Sequence, residues 1–230
     1  KVFELTLNNG YDKVSKKQLG LQLGYAADFK TYDELFDAFK KQMKYFIDVK
    51  IQGSNIIEKI FADCMPAPFL SILTNDCIAK GKDYNAGGAR YNTKYLQGVG
   101  IGTITDCLAA VKYNVYDKKN FTMDELMAAL DDNFIGHERI LNLVKNHSPK
   151  YGNDDEYADE IMKQVFEYYQ GEVTGRPNML GGMYRVNMLP TTCHVYFGEV
   201  MMASANGRLA HVPVSEGISP EKGADVNGPT

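Results

Sequence analysis

A chain of 230 residues holds one large domain or two small ones, and 44% hydrophobic with 23% charged residues is the composition of a soluble globular protein with a sizeable core. The formal net charge of −4, with basic runs no longer than pairs such as Lys16-Lys17 and Lys40-Lys41, argues against a nucleic-acid surface. No apolar stretch approaches a membrane span, nothing at Lys1-Val-Phe-Glu reads as a signal peptide, and four cysteines in no metal-binding spacing suit buried thiols in a reducing cytoplasm.

In chain order, Val2 to Asn9 reads as a strand or the end of a helix, and Gly10 after Asn9 favours the helix through its C-cap. Thr31-Tyr-Asp-Glu34 is a capping box. Behind it Leu35, Phe36, Phe39, Met43, Phe46 and Ile47 recur at helical spacing, and the pattern continues through Ile56, Ile57, Ile60 and Phe61. This predicts one long amphipathic helix, either continuous or broken at Gly53, with Pro66 and Pro68 ending it and opening the next. Phe69, Leu70, Leu73, Cys77 and Ile78 form a short apolar stripe closed by Gly81. Tyr95 to Gly102 reads as a strand with Gly98, Gly100 and Gly102 on one bare face, which would admit a close backbone approach. Thr103-Ile-Thr-Asp106 opens a helix. Thr122-Met-Asp-Glu125 is a second capping box, followed by Leu126, Leu130 and Phe134, then by stripes at Ile140, Leu141 and Val144 and at Tyr157 to Tyr169. Met188 to Gly198 reads as a buried strand, and everything after it as loop dense in Gly, Pro, Ser and Asn. A long ordered loop hanging from a core strand is usually functional. Helices with interspersed strands predict an α/β architecture.

Chemistry-bearing patterns are few. The run Gly98-Val-Gly-Ile-Gly102 before a helix lacks both the third spaced Gly of a dinucleotide fingerprint and the Gly-Lys-Ser/Thr of a P-loop. Tight backbone packing accounts for it better than nucleotide binding, and a helix N-terminus lining a pocket is the remaining reading. Cys193-His194 would be a thiol and its base, but neighbours on a strand point to opposite faces. His137, His147 and His211 have no second His at helical spacing, so no metal site is visible. Asp154-Asp-Glu156 suits a helix start. No nucleophile elbow and no self-sufficient catalytic set is present.

Five strings carry a family resemblance: Tyr84 to Asn92 (YNAGGARYN), Gln97 to Asp106 (QGVGIGTITD), Leu189 to Gly198 (LPTTCHVYFG), Ser204-Ala-Asn-Gly-Arg208 and Ser215 to Gly228 (SEGISPEKGADVNG). They resemble the glycyl radical enzymes of the pyruvate formate-lyase type. The segments Glu4 to Asp12, Lys150 to Met162 and Thr174 to Pro177 narrow the resemblance to the branch that dehydrates trans-4-hydroxy-L-proline.

The resemblance implies a ten-stranded α/β barrel enclosing two finger loops. One finger carries a Cys that becomes a thiyl radical, with a Glu two residues on as acid/base. The other carries the Gly that stores the radical, installed by a radical-SAM activating enzyme with an iron–sulfur cluster. The thiyl abstracts a hydrogen from the hydroxyproline-like substrate, and hydroxide leaves as water. The resemblance also implies an anaerobic, cytoplasmic homodimer.

This chain departs from that pattern. None of Cys64, Cys77, Cys107 and Cys193 is followed two residues later by Glu, and Arg-Val-x-Gly-Tyr does not occur. The expectation is a piece, residues 1–230, of one barrel domain, inactive alone and binding no cofactor or metal itself. Residues 1–82 would be mostly helical, 83–182 a Gly-rich segment with helices, and 183–230 a barrel strand and long loop. The catalytic Cys and Glu would precede Lys1 and the radical Gly would follow Thr230. By the family pattern Leu189, Thr191 and Thr192 line the substrate pocket, where a threonine hydroxyl can meet a polar substrate; strand propensity explains the same threonines equally well. The alternatives are a glycerol or diol dehydratase, a pyruvate formate-lyase-type C–C lyase, or a truncated, non-catalytic binding or structural relative.

Overall fold

The computed structural model describes residues 1–227; Gly228, Pro229 and Thr230, and so the last residue of the Ser215–Gly228 string, lie outside the described residues. In chain order the elements are α1 (Val2–Leu7), β1 (Tyr11–Asp12), β2 (Lys17–Gln18), α2 (Tyr32–Cys64), α3 (Pro68–Leu73), α4 (Cys77–Lys80), β3 (Lys94–Gln97), α5 (Ile101–Val111), α6 (Met123–Asp131), α7 (Glu138–Asn146), α8 (Glu156–Val173), β4 (Tyr184–Asn187) and α9 (Cys193–Glu199). β1 pairs antiparallel with β2, Tyr11 opposite Gln18, and β3 pairs with β4.

The local signals act as their chemistry requires. α1 ends at an Asn8 cap, and Gly10, at φ +78°, turns its amide back to the Leu5 carbonyl at 2.7 Å. At the head of α2 the Glu34 amide donates to Thr31 Oγ1 at 3.2 Å, and the Thr31 amide donates to Glu34 Oε2 at 3.4 Å. Thr122 and Glu125 make the same reciprocal pair before α6, at 3.2 and 2.6 Å. Pro68 is the first residue of α3, where its missing N–H costs nothing. Glu156 opens α8 behind Asp155, whose carboxylate accepts the Tyr157 amide at 3.0 Å.

The chain divides into two compact units. The first comprises residues 1–45, 97–168 and 188–230. Leu35, Leu108, Leu126 and Val144 are fully buried in it, and Phe3 meets Phe39 edge-on at 5.9 Å. α5 runs on into a π-helical turn, Lys112–Asp117. Inside that turn the buried Asn114 donates to the Ala110 carbonyl and to Ser148 Oγ and accepts from Asn120.

The second unit comprises residues 46–96 and 169–187. Ile47, Ile51, Cys77, Leu96, Val173 and Tyr184 form its core, and Tyr184 donates to Asn55 Oδ1 at 2.9 Å. Asp83 ties α3 to the following turn by accepting from the Ala67 amide, Ser71 Oγ and the Asn85 amide.

Several sequence expectations are decided or corrected. α2 runs through Gly53 without interruption, because a single half-buried Gly costs a 33-residue helix only about 1 kcal/mol. Phe69, Leu70, Leu73 and Ile78 do lie on helices α3 and α4, but all four are exposed and only Cys77 of that stripe is buried. The thiols are not uniformly buried either: Cys64 is exposed and Cys193 half-buried, while Cys77 and Cys107 are buried. The glycines 98, 100 and 102 do not share a strand face. β3 stops at Gln97, Gly100 takes a left-handed φ of +85° as the N-cap of α5, and Gly102 lies in that helix. Met188 to Gly198 is not a buried strand: residues 188–192 form an irregular connection that turns into α9 at Thr192, and Tyr196 and Phe197 of α9 are exposed. Threonine, valine and aromatic content favours strands only where a partner strand exists, and here tertiary context overrides it.

Candidate functional site

The turn predicted to line a pocket is held by backbone contacts. The Leu189 carbonyl accepts from Gln97 Nε2 at 2.6 Å, and the Met188 carbonyl accepts from the Ile218 amide at 3.2 Å. Leu189, Thr191 and Thr192 are all exposed. Thr191 Oγ1 lies 2.6 Å from Cys193 Sγ, and the Thr191 carbonyl 2.6 Å from His194 Nδ1. Thr192 is the N-cap of α9 by position, yet its hydroxyl makes no capping bond. The structure therefore places the three residues on one turn and leaves the Thr192 hydroxyl uncommitted to the helix. Cys193 and His194 sit on a helix rather than a strand, each turned to a different atom of Thr191, so they do not form a dyad.

Beneath this turn the loop 212–221 packs on α5. Gly198 fits tightly, since a Cβ there would lie 2.2 Å from the Val212 carbonyl oxygen. The Gly100 amide donates to the Glu216 carbonyl at 3.0 Å and the Thr103 amide to Ser215 Oγ at 3.0 Å. These are the amides a phosphate would use, so the loop itself occupies the helix N-terminus and the phosphate reading falls away. The tight-packing reading of the glycines holds at Gly102, where a Cβ would meet the Ser219 oxygen at 2.6 Å.

Sequence reasoning missed the buried polar cluster on which this loop rests. Asp106 is fully buried; its Oδ1 accepts the Tyr151 amide at 2.9 Å and its Oδ2 has no hydrogen-bond partner. Lys150 Nζ stands 3.9 Å from that oxygen and donates to the Val144 carbonyl at 3.0 Å. Burial pushes the Asp106 carboxyl up to about 7, against the attraction of Lys150. Burial also raises the carboxyl of Glu221, which accepts from Thr103 Oγ1 and, at 3.3 Å, from Asn206 Nδ2. Arg208 is wrapped by carbonyls, donating to those of Leu209 at 2.9 Å, Val212 at 2.7 Å and Met202. Burial lifts the Cys107 thiol to about 11, so it is no nucleophile at neutral pH. The signal for this cluster was the polar run Thr103, Thr105 and Asp106 inside an otherwise apolar helix, but its partners lie up to 118 residues away.

His137 pairs with Asp132 at 2.9 Å and His211 with the Glu199 carbonyl at 2.7 Å. Among the described residues no group of His, Cys, Asp and Glu could hold a metal ion, and no helix is long and apolar enough to cross a membrane. The second unit carries an open cleft of about 610 Å³ between Tyr91, Thr93, Tyr95, Thr174 and Arg185. None of the predicted pocket residues lines it, and Arg90 at its edge is committed to Asp76 at 2.8 and 3.1 Å. Among its described residues the first unit offers a hydrogen-bonded polar scaffold under an exposed segment, without a self-sufficient catalytic set.

Comparison with known proteins accounts for that arrangement. The family model described as pyruvate formate lyase-like matches residues 1–198. Trans-4-hydroxy-L-proline dehydratase of Clostridioides difficile is 66% identical over all of this chain, which spans 29% of that protein's length. The crystal structure of that organism's hydroxyproline dehydratase with trans-4-hydroxy-L-proline bound superposes with a TM-score of 0.96 over 99% of this chain and 29% of its own. The glycerol-bound B12-independent glycerol dehydratase of Clostridium butyricum is 38% identical, with a TM-score of 0.93 over 99% of this chain and 28% of its own. The few short strands and many helices are those of one stretch of such an enzyme. The chain belongs to the pyruvate formate lyase-like family of glycyl radical enzymes.

Proposed function

We propose that these residues are part of a glycyl radical dehydratase, a carbon–oxygen lyase that removes water from trans-4-hydroxy-L-proline. The observation that carries the reading is 66% identity to the Clostridioides difficile dehydratase across the whole chain, loops included. Neither a Cys-x-Glu finger nor an Arg-Val-x-Gly-Tyr loop occurs within the 230 residues. No bond-making step is therefore assigned to them. The radical Gly, the thiyl Cys and the acid/base Glu belong to other parts of the polypeptide, and a radical-SAM activating enzyme is the partner that installs the radical. The proposal includes a single barrel domain, a homodimer and an anaerobic cytoplasmic setting.

The part of these residues is to wall the substrate and shield a reactive radical intermediate from side reactions. Leu189, Thr191 and Thr192 are the proposed wall. Thr191 Oγ1 is already beside Cys193 Sγ at 2.6 Å, so Thr192 is the hydroxyl available to a polar substrate. Its loss, in Thr192→Val, costs one hydrogen bond and raises KM about tenfold. Thr191→Val has the smaller effect. Kinetics unchanged by both substitutions remove the turn from the site.

The reading is tested by anaerobic assay of the activated full-length protein. Consumption of trans-4-hydroxy-L-proline and not of glycerol supports it. Glycerol turnover favours the second reading, which the glycerol dehydratase likeness motivates. Formate release from pyruvate overturns both.

A further inference from the structure

The proposed wall is set from below through two glycine-tight contacts and one threonine. Gly217 packs on the turn so closely that a Cβ would lie 2.0 Å from the Met188 oxygen and 2.8 Å from the Leu189 oxygen. Its φ is not left-handed, so what the position demands is space, not a special backbone conformation. The next amide, Ile218, donates to the Met188 carbonyl at 3.2 Å, and Tyr151 Oη donates to the Ile218 carbonyl at 3.2 Å. Two residues before Gly217, the Ser215 amide donates to Thr103 Oγ1 at 2.7 Å and Ser215 Oγ accepts the Thr103 amide at 3.0 Å. Thr103 Oγ1 spends its single proton on the Glu221 carboxylate. One hydroxyl thus joins both flanks of the loop, at Ser215 and at Glu221, to the first turn of α5. Thr103 and Ser215 are both buried, at 5% and 3% exposure, so these bonds face no competition from water.

We propose that Thr103, Ser215 and Gly217 are positioning residues for the substrate: they clamp the loop 214–221 to α5 and thereby hold the Met188–Thr192 turn at the height from which it contacts the substrate. None of the three touches the substrate. They act through the Met188 carbonyl, and the effect belongs to binding more than to chemistry. This inference rests on the reading of the turn as a pocket wall.

The test uses the full-length protein with Gly217→Ala, Thr103→Val and Thr103→Ser. The first drives a methyl into the turn. The second is nearly isosteric and deletes both hydroxyl bonds, and the third restores the hydroxyl. Hydrogen–deuterium exchange is measured across residues 188–192 and 214–221, with steady-state kinetics on trans-4-hydroxy-L-proline after anaerobic activation. The expected result is faster exchange in both segments for Gly217→Ala and Thr103→Val, with exchange elsewhere in α5 unchanged. KM rises about tenfold or more with a smaller change in kcat, and Thr103→Ser returns both readouts to wild type. Unaltered exchange at 188–192 in Gly217→Ala overturns the clamp. Faster exchange with unchanged KM overturns its role in substrate positioning. A wild type that does not turn over hydroxyproline sinks the proposed function instead, and the exchange data still decide whether the clamp exists.

Discussion

Replacing Gly102 by Ala pits two physical effects of opposite sign against each other. Within a helix, Ala is intrinsically favoured over Gly by up to about 1 kcal/mol. At Gly102 the new Cβ would lie 2.6 Å from the Ser219 oxygen, 2.7 Å from the Glu221 nitrogen and 2.8 Å from the Pro220 carbonyl carbon. All three are backbone atoms, so the loop must move by several tenths of an ångström or more, and the bond between Thr103 and Glu221 one residue on is disturbed. Overpacking costs about 1–3 kcal/mol and a weakened buried hydrogen bond about 1 kcal/mol more. The net expectation is a loss of about 2 kcal/mol, or roughly 4–8 °C in Tm for a unit of this size. Gly53 in α2 and Gly171 in α8 supply the control, because a Cβ at either meets nothing within 4 Å. Gly53→Ala and Gly171→Ala should each raise stability by about 0.5–1 kcal/mol. Calorimetric melts of the three variants under identical buffer conditions check both signs. A Gly102→Ala protein that melts higher, as the controls do, refutes the close approach of the loop to α5.

Burial holds the Asp106 carboxyl up at about 7 in the folded protein, against an ordinary 3.8. Between those values the folded state holds the extra proton, so this group makes stability fall as pH rises through that window. Asp106→Asn keeps an acceptor for the Tyr151 amide and cannot ionise; from pH 5 to pH 8, which spans about two units of that window, it should gain on the wild type by at most about 2.7 kcal/mol, and parallel stability–pH curves would exclude a buried ionising Asp106. Leu126 is fully buried, so Leu126→Ala should cost about 2–5 kcal/mol in chemical denaturation; a cost under 1 kcal/mol would mean that the core there collapses freely. Thr122→Ala removes the reciprocal cap of α6 and should lower stability by about 1 kcal/mol, with Thr122→Ser recovering most of it.

What the sequence by itself determined is what local chemistry determines. Thr31 with Glu34 and Thr122 with Glu125 announce helix starts because cap and amide lie within three residues. The helical stripes of α2, α6 and α7, the Gly10 turn and the Pro68 start are legible for the same reason. The family strings were also in the sequence, and with them the expectation of a radical lyase whose reacting groups lie elsewhere.

The tertiary structure decided whatever depends on residues distant in the chain. Leu189 to Gly198 has the composition of a strand, but pairing needs a neighbour, and in its place Gly198 meets the Val212 backbone and Gly217 the Met188 carbonyl. The same reasoning applies to Gly98–Gly102, where period two suggested a strand face and the loop from 214 to 221 instead packs on a helix N-terminus. Asp106, an isolated acid in an apolar helix, could be noticed in the sequence; that Lys150, the Tyr151 amide and Glu221 gather around it could not. Their placement follows from the energetic requirement that buried charges find partners, and that requirement is met by whichever residues the fold brings within reach.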